Sequence, residues 1–320
     1  MSIPIKKIVA RGMGCALRLA RVQRFAAARG ASILFMYHRV LPGGAPPDWP
    51  LKSLIVDLTD FERQMTWLCR RFEVCTAFDA VCGVGRGGRP RAAVTFDDGY
   101  RDNYLFAAPV LDRLGVPGSF FVTTEFIGSR GRLWFDVAAL LWHRGRSAGE
   151  RRSLANRMTE LKRMPRAERE KELSKLAQPS DWISSERDMP MDWADVNDLR
   201  RRGHEIGSHS RTHPILTQLS ATELRDEVIG SVETLRDHGV EPRGIAYPNG
   251  DCDEAVTAVA TEAGLRYGLC TREGWHERGA DVMRTRRVDV NPARLERWSR
   301  RTEVGLETQC AWCAVVGRRS

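Results

Sequence analysis

The chain has 320 residues, 42% of them hydrophobic, which is enough for one large core and does not require two. Its 50 Lys and Arg against 41 Asp and Glu leave a formal charge of +9. The excess is mostly Arg and is scattered rather than set as a stripe with interleaved aromatics, so nucleic acid is not an expected partner. Eight spread cysteines in so long a chain exclude a disulfide scaffold, and Cys310-x-x-Cys313, a pair without a second pair, is assigned no function.

Residues 1–30 form a basic segment in which Leu17, Leu19, Val22 and Phe25 sit among Arg18, Arg21 and Arg24. It reads as an amphipathic helix, either packed on the main domain or lying on a membrane surface. It lacks the continuous apolar run of a secretory signal, and no segment approaches the roughly 20 apolar residues of a membrane span. The expected location is therefore the cytoplasm, with peripheral membrane contact through this segment.

The first strand is Ala31 to His38, closed by Arg39 and the turn residues Pro42-Gly43-Gly44. A helix follows, with Thr59-Asp60 as cap candidates and Phe61, Met65 and Leu68 at helical spacing. Arg91 to Phe96 is a short buried strand running into Asp97-Asp98-Gly99. Next come a helix from Leu105 to Leu114, stopped by Gly115, and a strand from Gly118 to Thr123. From about 130 to 193 the pattern turns helical and densely charged, and this stretch is expected to be an insertion rather than a domain. Alternation then resumes: a helix over Asp195–Arg202, a strand over His204–Ser208, and the pair His209 and His213. Two more helices and strands follow, the strand Gly244–Tyr247 ending in Pro248-Asn249-Gly250, and the last strand spans Arg287–Val290.

Strands alternating with helices predict an α/β fold with a parallel sheet closed into a barrel over residues 31–292, and residues 293–320 form a basic tail. In such a barrel functional groups gather at the C-terminal ends of the strands, where His38, Asp97, Asp98, His209 and Tyr247 all fall. Two adjacent acids after a buried strand are costly unless they do something. Alternation along a strand lets one carboxylate hold a metal while the other takes a proton; the bland alternative is a turn in which Asp98 caps the next helix. His209-Ser-Arg-Thr-His213-Pro214 is not helical at His213, because a residue before Pro avoids that geometry. A compact loop still brings both imidazoles to one ion, and three Asp and His ligands with a fourth place for water describe a catalytic zinc site.

Thr95-Phe-Asp-Asp-Gly-Tyr100 and His209-Ser-x-x-His213-Pro resemble the first two motifs of the polysaccharide deacetylase family, the NodB-homology or family 4 carbohydrate esterases. The resemblance implies a distorted (β/α) barrel, a divalent metal, commonly zinc, and hydrolysis of N-acetyl groups on N-acetylated glycans. It makes Asp97 the catalytic base and Asp98, His209 and His213 the ligands.

Two features depart from the family pattern. Ile245-Ala-Tyr-Pro-Asn-Gly250 lacks the arginine that precedes the equivalent turn and braces the base; Arg284, Arg286 and Arg287 are the substitutes, with Arg287 preferred. Tyr247 and Asn249 are expected to meet substrate, Asn249 through a backbone N–H on the oxyanion. The late strand ending in a histidine acid is absent, whereas Leu34-Phe-Met-Tyr-His38 has that form near the N-terminus. His38 is thus the candidate acid, against a plain strand-capping role. Trp134 either offers a face to a sugar or packs in the interior. The expected function is polysaccharide N-deacetylation on a free, lipid-linked or cell-wall glycan, most simply in cell-surface polysaccharide synthesis. The alternatives are a sugar-binding barrel without turnover and a metal-dependent phosphoesterase, for which too few further ligands are present.

Overall fold

A computed structural model describes residues 30–46, 49–83, 89–143, 154–174, 189–292, 305–307 and 309–310. The predicted N-terminal helix, most of the tail and Cys313 lie outside these residues.

Eight parallel strands make the main sheet: β1 (Ser32–Tyr37), β4 (Glu73–Val74), β5 (Arg91–Phe96), β6 (Ser119–Val122), β7 (Glu205–Ser208), β8 (Gly244–Ala246), β9 (Tyr267–Leu269) and β10 (Val288–Asp289). Neighbours follow the order β10-β1-β5-β6-β7-β8-β9, with β4 beside the start of β5. The order almost matches the chain order, which is how a sheet curls on itself. Closure comes from the segment entering β10. Thr285 exchanges backbone hydrogen bonds with Gly268 and Cys270 at the end of β9, and Val288 and Asp289 pair with Phe35 and Met36 of β1. One short segment thus joins the first and last strands of the curl. The fold is the distorted (β/α) barrel expected from the alternating pattern.

Two further strands were not legible in the sequence. β2 (Arg39–Leu41) and β3 (Ile55–Asp57) pair in parallel beside the barrel mouth. The helix after them, α1 (Leu58–Arg71), is capped by Asp57, whose carboxylate accepts from the N–H of Thr59 at 2.8 Å; Thr59 and Asp60 belong to its first turn rather than its cap. β1 stops one residue before His38, which occupies the link to β2.

Outside the sheet lie α2 (Ala77–Cys82), α3 (Ala108–Leu114), α7 (Trp193–Arg201), α8 (Ala221–Asp237) and α9 (Glu254–Glu262). α3 is preceded by a π-turn over Asn103–Ala107 and ends at Gly115 in the left-handed conformation. α7 and α8 each start with a reciprocal capping box, Asp192 with Asp195 and Ser220 with Glu223. The charged stretch forms α4 (Trp134–His143), α5 (Leu154–Arg163) and α6 (Arg166–Ser174). Ala138, Leu161 and Leu173 pack together between them, and this small cluster holds the three helices beside the barrel mouth.

The barrel interior is filled by aromatic rings laid over glycines. Phe121 on β6 faces Gly207 on β7, and Tyr267 on β9 faces Gly244 on β8, each pair in register. A Cβ at either glycine would run into the facing ring. The phenol of Tyr267 then reaches Glu205, whose other oxygen accepts from Ser119. Gly244→Ala should therefore cost roughly 1–3 kcal/mol, the usual range for overpacking, read as a lowered denaturant midpoint with unchanged slope.

Candidate functional site

Parallel pairing sets the level at which each functional group emerges. Tyr37 of β1 is opposite Phe96 of β5, so His38 and Asp97 leave the sheet side by side, and the Asp97 N–H donates to the Tyr37 carbonyl at 3.1 Å. Val122 of β6 is opposite Ser208 of β7, and the next N–H, that of His209, donates to Val122. All of these groups border one cavity of about 870 Å³ at the C-terminal mouth of the barrel.

Asp97 and Asp98 are almost fully buried yet have different partners. Both lie beyond the end of β5, and Asp98 has φ +80°, so a left-handed turn, rather than strand alternation, parts the two carboxylates. Gly99 continues that turn at φ +97°, where a side chain would press on Ile127. Asp98 does not cap the following helix: its Oδ1 faces the Nε2 atoms of His209 at 3.3 Å and His213 at 3.4 Å.

Asp97 faces the other way, onto Arg287. The guanidinium, with no exposed surface, donates Nη1 to Oδ1 and Nη2 to Oδ2, both at 2.7 Å. Its remaining donors reach the Cys270 carbonyl at 3.0 Å and Thr95 Oγ1 at 3.2 Å. Burial alone raises a carboxyl, but Arg287 and the neighbouring histidines outweigh it and hold Asp97 below the usual carboxylate value. Arg284 and Arg286, the other two candidates for this role, are not the partners of Asp97.

The histidine loop is fixed at every turn. The Ser208 hydroxyl accepts from the Ser210 N–H, and the Ser210 hydroxyl from the His213 N–H. Ser210 and His213 both adopt positive φ, near +60°. From α8, buried Glu227 accepts the N–H groups of Arg211 and Thr212 at 3.0 and 2.9 Å, and Arg166 of the inserted helices pairs with it. Nothing in the sequence singled out Glu227, one of several acids on its helix. His209 Nδ1 meets the Ala246 carbonyl at 2.6 Å, which fixes its tautomer and leaves Nε2 as the free donor atom.

The donor set fits a divalent ion. One oxygen of Asp98 and one nitrogen each of His209 and His213 lie within 4.8 Å of one another, all buried. For zinc-type bonds of about 2.1 Å, two ligand atoms of a tetrahedral site are about 3.4 Å apart, which matches both Asp98–histidine separations. Asp98 Oδ2 and His213 Nδ1 are buried without a hydrogen-bond partner. Charge points the same way: the Arg287 guanidinium is taken up by Asp97, and Asp98 faces only the two imidazoles. Burial lowers His213, whereas at His209 the burial effect is outweighed by Asp98 and Asp97, which raise it. A proton on His209 and a metal ion are alternative ways to balance the Asp98 charge.

The remaining expected site residues are placed as follows. His38 lines the cavity, with its carbonyl held by the Asn103 side chain at 3.0 Å. Asn249 also lines it, at φ +59° in the turn after β8, and its side-chain Nδ2 is buried without a partner. Tyr247 borders the cavity, but its phenol is buried and donates to the Met283 carbonyl at 2.9 Å, so its hydroxyl is engaged inside the barrel. The Trp134 indole N–H donates to the His213 carbonyl at 3.0 Å while Arg169 lies over its ring. Trp134 therefore braces the histidine loop, and its neighbour Phe135 lines the cavity in its place. With Leu51, Leu54, Leu154 and Met158, Phe135 gives the cavity its apolar wall.

Replacing Arg287 by Lys should remove the two-point grip and let burial push the Asp97 carboxyl upward. The acid limb of a kcat/KM profile then moves to higher pH; a limb that stays in place would show that Asp97 does not titrate in it.

Residues 85–268 match the family model described as polysaccharide deacetylase. The chain is 24% identical over 265 residues, 81% of its length and 71% of the relative's, to "Putative polysaccharide deacetylase YxkH" of Bacillus subtilis (strain 168). Among solved structures it resembles the Streptococcus pyogenes deacetylase PplD in complex with acetate (TM-score 0.60, 18% identity, 87% of this chain and 98% of that one). It also resembles IcaB from Ammonifex degensii (TM-score 0.58, 19% identity, 88% and 97%). With the matched region covering more than half its length, the chain belongs to the polysaccharide deacetylase family of amide hydrolases.

Proposed function

We propose that the protein removes N-acetyl groups from the N-acetylated sugars of a polysaccharide or lipid-linked glycan, using one divalent ion, zinc by its donor set, held by Asp98, His209 and His213. The observation that carries this reading is the division between the two adjacent carboxylates. Asp97 is fixed by Arg287, and Asp98 is turned onto the histidines.

When bound, the ion supplies Lewis acidity toward the acetamide carbonyl and brings the pKa of a water toward neutrality. The rest falls to the chain. Asp97, kept ionised and immobile by the guanidinium, takes the proton of the attacking water. As the carbonyl carbon becomes tetrahedral, Asn249 offers a donor at the cavity wall to the developing oxyanion. His38, on the opposite side of Asp97 from the ligands, gives a proton to the departing amine. The leaving nitrogen needs that proton because a free amide anion is not a viable leaving group. The apolar wall of Phe135, Leu54 and Met158 suits the acetyl methyl and the apolar face of a sugar ring. A place in cell-surface glycan synthesis at the cytoplasmic side of a membrane accords with the basic amphipathic segment at residues 1–30.

Incubation with N-acetylglucosamine oligomers should release acetate, stop with chelator and resume on adding zinc. His38→Gln should keep the ion while kcat falls roughly 10²–10⁴-fold, the usual share of a general acid. Acetate release that is indifferent to chelator, or full turnover by the His38 variant, would remove the corresponding part of the mechanism.

A further inference from the structure

Two thiols outside the metal cluster stand in contact at the base of the turn that carries Asn249. Cys270 follows β9 and is buried; Cys252 is two residues beyond Gly250 and partly exposed; their Sγ atoms are 3.3 Å apart. Cys270 is tied to the site through its own carbonyl and through the residue that follows it. The Cys270 carbonyl accepts from Arg287 Nε, and Thr271, the next residue, donates its hydroxyl to the Asn249 carbonyl at 3.2 Å. The surroundings are cationic, with Arg284 and Arg272 beside Cys252. The hydrogen bond from Cys270 is the largest cause lowering the Cys252 thiol to about 7, with the two guanidinia adding to it against burial. Other partly buried thiols are not in this state: burial pushes Cys69, Cys75 and Cys82 up, Cys75 to about 12. A thiolate that is partly accessible, electropositive in setting and beside a second thiol has the features of a reactive cysteine with its resolving partner.

We propose that Cys252 and Cys270 are a redox pair that a hydroperoxide converts to a disulfide, and that this bond slows the enzyme. The Cys252 thiolate attacks the peroxide oxygen, the O–O bond breaks, and the sulfur becomes a sulfenic acid as the peroxide is reduced to an alcohol or water. The Cys270 sulfur then attacks the sulfenic sulfur, the S–O bond breaks with release of water, and the S–S bond forms. A disulfide is about 2.05 Å long, so the two sulfurs close by about 1.2 Å. That contraction draws the turn at 248–252 toward the end of β9, between the Asn249 donor and the strand end that supports Arg287. The effect on turnover rests on the deacetylase reading; the formation of the bond does not.

The test treats the reduced, zinc-loaded full chain with hydrogen peroxide, blocks the remaining thiols, and maps the peptides by mass spectrometry beside acetate release. The expected result is a Cys252–Cys270 cross-linked peptide with loss of two hydrogens. It should be accompanied by a kcat reduced roughly tenfold, within the range that displacements of about 1 Å produce at catalytic sites, and restored by dithiothreitol. Cys252→Ser and Cys252→Ala should keep the rate of the reduced enzyme and be insensitive to the same treatment. Peroxide that leaves both thiols free, or carries Cys252 to sulfinic acid without a cross-link, overturns the redox pair. A cross-linked protein with unchanged kcat overturns the slowing. Were reduced protein to release no acetate at all, the deacetylase reading would fail while the peptide map would still decide whether the bond forms.

Discussion

The two-point pairing of Arg287 with Asp97 is the interaction on which the rest of the structure depends. Both groups are buried, and an unpaired charge at either position would cost several kcal/mol. Every guanidinium nitrogen is satisfied, by Asp97, Thr95 and the Cys270 carbonyl, so the pair is held by β5, β9 and the segment entering β10 together. That last segment is also what joins β9 to β1. Closing the barrel and bracing Asp97 are therefore the same event, and a chain that fails to close leaves a buried aspartate without its counter-charge.

Around this pair the candidate ligand cluster of Asp98, His209 and His213 is built from the outside in. His209 and His213 leave β7 on a loop whose N–H groups are taken up by Ser208, Ser210 and Glu227. The inserted helices add Trp134 on the His213 carbonyl and Arg166 on Glu227. Such outer contacts orient the ligand atoms, which lowers the ordering cost of binding an ion. The same insertion supplies Phe135, Leu154 and Met158 to the apolar wall of the cavity, so helices that read as solvated charged faces also shape the pocket.

Much of the barrel was legible because apolar strands alternating with amphipathic helices leave a strong pattern, and β5, β7 and α7 fall close to their expected ends. The short strands β2, β3 and β4 were not, since two or three residues carry no periodicity. Asp97, Asp98, His209 and His213 stood out through residue type and spacing. Arg287 was a preference among three late arginines, and only the strand order explains why it, and not Arg284, reaches Asp97. Glu227 was invisible, because its task is to hold backbone N–H groups that lie more than a dozen residues away in sequence. Trp134 was read for its ring, whereas the structure uses its N–H; sequence shows a side chain's chemistry but not which part of it faces the site.

The separation of labour between the adjacent carboxylates is tested most directly by measuring bound zinc in Asp97→Asn and Asp98→Asn variants, with folding checked by circular dichroism. Asp97→Asn should retain one ion per chain, as in the parent, while releasing no measurable acetate, and Asp98→Asn should lose the ion. Loss of the ion from Asp97→Asn as complete as that from Asp98→Asn would contradict the account, since both carboxylates would then be ligands and neither a free base.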